Sequence, residues 1–195
     1  MNGARRFSQA ISEGDGISIV VPVTDPADAR RAEDEGAEAI AIHGAVHAVR
    51  EATSLPLLWR PHGMPRDAHA ADADACVLVY AELEDEDGRL EGAYREAVEL
   101  GLECAVEVRD EEELAAALER LDPEIFLLAG AGGDDGPLEW ALDLLQDVPA
   151  GKLAIADLPV SGRDEVAELE RAGMDAVIVP GGNVAELVGG NAPEV

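Results

Sequence analysis

Eight short apolar runs punctuate the chain at near-regular intervals: GISIVVPV (16–23), AEAIAIHG (37–44), LPLLWR (55–60), DACVLVYAEL (74–83), LECAVEV (102–108), EIFLLAG (124–130), KLAIAD (152–157) and DAVIVP (175–180). Each is too short for a buried helix and too continuously apolar for a half-exposed strand. They read as parallel strands covered on both faces. Helical patterns with recognisable starts lie between them. Asp25-Pro26 opens one, Asp110 caps EEELAAALERL, and Ser161 caps GRDEVAELERAG, which stops at Gly173. Repeated strand and helix units with right-handed crossovers close into a (β/α)8 TIM barrel; an open doubly wound sheet is the alternative. No Pro/Gly/Ser-rich linker interrupts residues 1–195, so a single domain is expected. The third helix must fit within MPRDAHAADA, and the last is at most NVAELVGG, before NAPEV. A short or missing closing helix leaves an apolar side that a second copy would cover, so a homodimer is expected.

Charge narrows the function classes. Forty-two acidic residues against fourteen basic ones give a net charge of −28, which repels nucleic acid and anionic membranes. Neither is expected as a partner. Hydrophobic residues make up 47% of the chain, too many for a disordered acidic segment, so the acids read as the shell of a folded protein suited to high internal salt. Of the fourteen basic residues one is lysine, Lys152, and the rest are arginine. No run of about 18 apolar residues occurs, and MNGARRFSQAISEGDG lacks the apolar stretch of a signal peptide, so a soluble cytoplasmic protein is expected. Cys76 and Cys104 fall inside strand-like runs without zinc-type spacing, and buried thiols are expected.

Several segments resemble the indole-3-glycerol phosphate synthase family: RFSQAISEGDGISIVVPV, VREATSLPLLWR, LECAVEVRDEEELAAAL and KLAIADLPVSGRDEVAELERAGMDAVIVPGG. The resemblance implies a (β/α)8 barrel that closes an indole ring by decarboxylation and dehydration of a carboxyphenylamino-deoxyribulose phosphate. It also implies a lysine general acid, carboxylates that shuttle protons, and a phosphate site after the last strands. Matched position by position, the family's first-strand Glu and Lys fall at Pro22 and Thr24, and its third-strand Lys-Asp-Phe at Arg60-Pro61-His62. Glu107 retains the fifth-strand glutamate. The paired asparagines after the sixth strand are replaced around Leu128-Ala129-Gly130, the Glu-Ser-Gly of the seventh becomes Asp157-Leu158-Pro159, and the Gly-Glu/Ser-Ser of the eighth becomes Pro180-Gly181-Gly182. Two loops that carry substrate contacts in the family are cut to TDP and HGAVH.

Arginine, with a pKa above about 12, is no tunable acid near neutrality, so Arg60 does not substitute for a catalytic lysine. Lys152 precedes the seventh strand and belongs at the barrel bottom, away from the C-terminal face where barrel chemistry sits. The family mechanism is therefore not expected. Strand-end groups still converge on the top face: His43, Arg60, His62, Glu82, Glu107 and Asp157. As catalytic candidates Glu107 and Asp157 are paired carboxylates, with Arg60 holding an anionic group. The competing account is an inherited Arg–carboxylate network that neutralises the mouth. Gly181, Gly182 and Asn183, with Arg60 and His62, are the phosphate-binding candidates, against an ordinary turn. In AGAGGDDG (129–136) Asp134 and Asp135 would repel phosphate. His43 and His47, four apart, with His62 or His69, lack any specific metal signature, so neither metal nor cofactor is expected. Trp59 and Trp140 read as packing residues. Two functions follow: a divergent enzyme, lyase-like if active, or binder acting on a small phosphorylated or carboxylated metabolite, and a non-catalytic barrel acting through self-association or a partner protein.

Overall fold

The computed structural model describes residues 6–14, 16–44, 48–60, 63–84, 88–130, 136–160, 162–179 and 184–187. All eight apolar runs contain strands: β1 (Ser18–Val23), β2 (Ala39–Ile42), β3 (Leu57–Trp59), β4 (Ala75–Val79), β5 (Glu103–Val108), β6 (Ile125–Ala129), β7 (Leu153–Asp157) and β8 (Ala176–Ile178). They are parallel and close in sequence order, with β8 returning to β1 through Ser18↔Ala176 and Val20↔Ile178. That pairing removes the open-sheet alternative and leaves a (β/α)8 barrel.

Side chains alternate between two apolar layers, as the pleat requires. Val20, Ala41, Leu58, Val77, Ala105, Leu127, Ile155 and Ala176 fill the barrel, and their neighbours along each strand pack outward against the helices. Alanines recur among the inner residues because eight converging strands leave little room. The N-terminal end is closed by α1 (Arg6–Ser12), whose Phe7 and Ile11 join the inner cluster. Glu103, at the start of β5, accepts from the Phe7 amide at 2.6 Å and the Ser8 amide at 3.1 Å, placing a carboxylate against otherwise unpaired helix donors.

The outer helices start where their caps put them. Asp25 accepts from the Ala27 and Asp28 amides ahead of α2 (Pro26–Asp34), and Asp110 from the Glu113 amide ahead of α7 (Glu111–Arg120). For α9 (Arg163–Ala172) the residue before the first turn is Gly162, and Ser161, the expected cap, lies outside the described residues; Gly173 ends the helix in the left-handed region, φ 95°. The segment after β3 forms α4 (Pro65–Ala70), preceded in the chain by the four-residue α3 (Val49–Ala52). After β4 come α5 (Tyr80–Leu83) and α6 (Arg89–Glu99), and after β6 comes α8 (Pro137–Leu145). The last described element is α10 (Val184–Leu187), a single turn among the described residues. Among the described residues no helix is long and apolar enough to cross a membrane.

Candidate functional site

Two-residue alternation carries the inner face of three strands upward from Leu58 to Arg60, from Ala105 to Glu107 and from Ile155 to Asp157. Three candidate residues thus reach the C-terminal mouth on different strands. Arg60 Nη2 donates to Asp157 Oδ2, an ion pair between positions 97 apart in the chain, with side chains only 14% and 27% exposed. The Arg109 guanidinium reaches Glu107 Oε1 at 3.5 Å. Burial pushes the Glu107 carboxyl above its ordinary pKa; Arg60 and Arg109 pull it down, and the Asp157 charge adds to the upward push. Glu107 and Asp157 thus influence each other through space, while each has its own arginine. The result is a charge-balanced quartet at the mouth.

Arg109 was not among the expected site residues. Its signal was the same alternation: it follows Glu107 by two positions and shares its side of the chain. Trp140 also does more than fill a helix stripe. Its indole N–H donates to the Arg109 carbonyl at 3.2 Å, and its ring lies so close over Gly130 that a Cβ there would come within 2.6 Å. Glycine at the end of β6 admits that approach, and Trp140 in turn fixes the backbone from which Arg109 projects. Beyond it a hollow of about 530 Å³ is lined by Asp110, Glu111, Glu112, Asp143 and Trp140. Its carboxylates disfavour anions.

The other candidates among the described residues are not gathered into this quartet. His43 follows β2 and is exposed, Glu82 is exposed on α5, and His69 is exposed on α4. His62, His47, Gly181, Gly182 and Asn183 lie outside the described residues, as do Asp134 and Asp135. Among the described residues no group of three or more His, Cys, Asp and Glu side chains is arranged to hold a metal. Trp59 faces outward from β3 and is buried in the outer layer. Thr24 has its hydroxyl on the Asp28 carboxylate at 3.2 Å. Lys152 sits at the opposite end of the barrel, its ammonium on the Asp122 carboxylate at 2.5 Å and the Asp122 carbonyl at 3.2 Å.

Comparison with known proteins places these observations. The family model described as indole-3-glycerol phosphate synthase matches residues 65–184. The indole-3-glycerol phosphate synthase of Acidithiobacillus ferrooxidans is 33% identical over 141 residues, 68% of this chain and 51% of that protein. That of Geobacillus thermodenitrificans is 29% identical over 181 residues, 83% of this chain and 68% of that protein. The chain thus spans about half the length of the first of these curated relatives. Among solved structures, the N-acetylmannosamine-6-phosphate 2-epimerase of Clostridium perfringens superposes with a TM-score of 0.68 at 15% identity, covering 87% of both chains. A tryptophan synthase alpha-subunit from Pyrococcus furiosus gives 0.66 at 17%, covering 86% of this chain and 87% of its own. Those two likenesses establish the barrel alone. The family match over α4 to the start of α10, together with 33% identity to the Acidithiobacillus ferrooxidans protein over 68% of this chain, carries the rest: the chain belongs to the indole-3-glycerol phosphate synthase family.

Proposed function

We propose that this protein is a divergent, loop-trimmed family member whose barrel mouth binds a small phosphorylated or carboxylated metabolite and does not close the indole ring by the lysine mechanism. One observation carries the reading: the single lysine is held by Asp122 at the far end of the barrel, while the third-strand lysine position holds Arg60, already paired to Asp157. Arg109 is the more exposed cation of the quartet, 47% accessible, and its contact to Glu107 is long enough to exchange for a ligand anion. Glu107, desolvated beside two arginines, is the group suited to move a proton, since its raised pKa brings it closer to neutrality. If the mouth turns over its ligand, the reaction is lyase-like chemistry on that metabolite, with Glu107 and Asp157 as acid and base.

Thermal unfolding in molar KCl with the family's carboxyphenylamino-deoxyribulose phosphate tests this, with inorganic phosphate as control. Saturation at a hundred times Kd stabilises by about 2.7 kcal/mol, which for a domain of this size raises Tm by roughly 5–10 °C. A dose-dependent rise without indole-3-glycerol phosphate formation is the expected result. Formation of that product would overturn the loss of ring closure. No shift at millimolar ligand would favour the second reading, a non-catalytic barrel acting through self-association or a partner protein. The mutual neutralisation of both arginines by Asp157 and Glu107 supports that second reading. On that second reading a homodimer is expected, and sedimentation at micromolar concentration reads it directly.

A further inference from the structure

The chain has two cysteines, and the fold sets them side by side. Cys76 on β4 and Cys104 on β5 are register partners in adjacent parallel strands, both on the helix-facing side of the barrel. Their sulfurs lie 4.0 Å apart, with the residues 2% and 8% exposed and both thiols free. We propose that this pair is a binding site for a soft, two-coordinate d10 cation, with mercury(II) as its probe.

Two metal–sulfur bonds of about 2.3 Å span at most about 4.6 Å, so a cation fits between these sulfurs in a bent arrangement without moving either strand. Sulfur donors alone select soft ions over magnesium, calcium or manganese. Access is built in: Cys104 lines a recess of about 350 Å³ that it shares with Tyr94, Val98, Leu102, Asp122 and Glu124. Carboxylates at that recess, on a chain of net charge −28, raise the local cation concentration. The step involves no redox change. Two S–H bonds are exchanged for two S–M bonds, and both protons go to solvent. With a divalent ion the resulting bis-thiolate is neutral, which apolar surroundings favour over a net charge. The cost is ionising two thiols, and the neighbouring sulfur and burial push the Cys104 thiol up; since binding releases protons, it tightens as pH rises.

Mercury(II) chloride titrated into the folded wild-type protein tests the assignment by ultraviolet thiolate-to-metal absorption, proton release and Tm. The expected result is one ion per chain, two protons released per ion, a raised Tm, and loss of both thiols to a maleimide after unfolding. Cys76→Ala and Cys104→Ala, each first checked by circular dichroism, should release one proton per ion and lose the Tm rise. Two ions per chain, or uptake only at the rate of unfolding, would overturn the proposal. So would a single-cysteine variant that keeps the wild-type absorption and Tm rise. Should the variants fail to fold, wild-type stoichiometry and proton count decide.

Discussion

At the scale of single residues the mouth is governed by pairing. Glu107 is a carboxyl whose pKa is raised in the folded protein, so the fold binds its proton more tightly than the unfolded chain does. The stability this contributes is fully present below the ordinary glutamate range, about pH 4, and is lost as pH rises through the elevated value. Glu107→Gln does not titrate, so its stability relative to wild type should increase as pH rises from the ordinary glutamate range, about pH 4, through the elevated value; a difference that stays flat across chemical-denaturation curves would show that burial does not control this group. Arg60→Met leaves Asp157 half-buried without its cation, and a loss of about 1–3 kcal/mol is expected. Removing Asp157 as well should recover part of it, and a double-mutant cycle without coupling would refute the pair. The identities of Glu107, Asp157 and Arg60 as mouth residues were legible in the sequence because strand parity is local. Arg109 was equally legible by parity, but its charge offered no reason to single it out among thirteen arginines until Glu107 stood beside it.

Elements close the two ends of the barrel in different ways. At the bottom, the Glu103 carboxylate anchors α1 through the Phe7 and Ser8 amides. Glu103→Ala removes that anchor at an expected cost of about 1–2 kcal/mol, and amide exchange confined to α1 should rise before that of the strands; uniform exchange would mean α1 is held by Phe7 and Ile11 alone. At the top, Gly130→Ala puts a methyl into the Trp140 ring, and overpacking of this kind costs about 1–3 kcal/mol. Trp140 must move off the Arg109 carbonyl to accommodate it. A red shift in tryptophan emission, compared with a Trp59→Phe background, reports that movement, and an unchanged spectrum would count against the clamp.

For the whole molecule, the acidic surface sets the conditions of stability. Repulsion within a shell of net charge −28 is longest-ranged at low ionic strength, and at about 1 M salt the screening length falls to about 3 Å. Tm is therefore proposed to rise by several degrees between low salt and molar KCl, as read by calorimetry. A Tm that falls or stays level would mean the carboxylates are not a salt-adapted shell. The Arg60–Asp157 pair, being mostly buried, should keep its coupling energy over the same salt range.

The sequence by itself determined the eight strands, their parallel arrangement, and the helix caps at Asp25 and Asp110. These follow from periodicity and capping chemistry that act within a dozen residues. Only the tertiary structure decided that Arg60 meets Asp157 across 97 positions and that the two thiols share a register. Each of those depends on how far neighbouring strands are staggered when the sheet closes. That stagger is a property of the whole barrel, to which every strand contributes and which no single segment encodes.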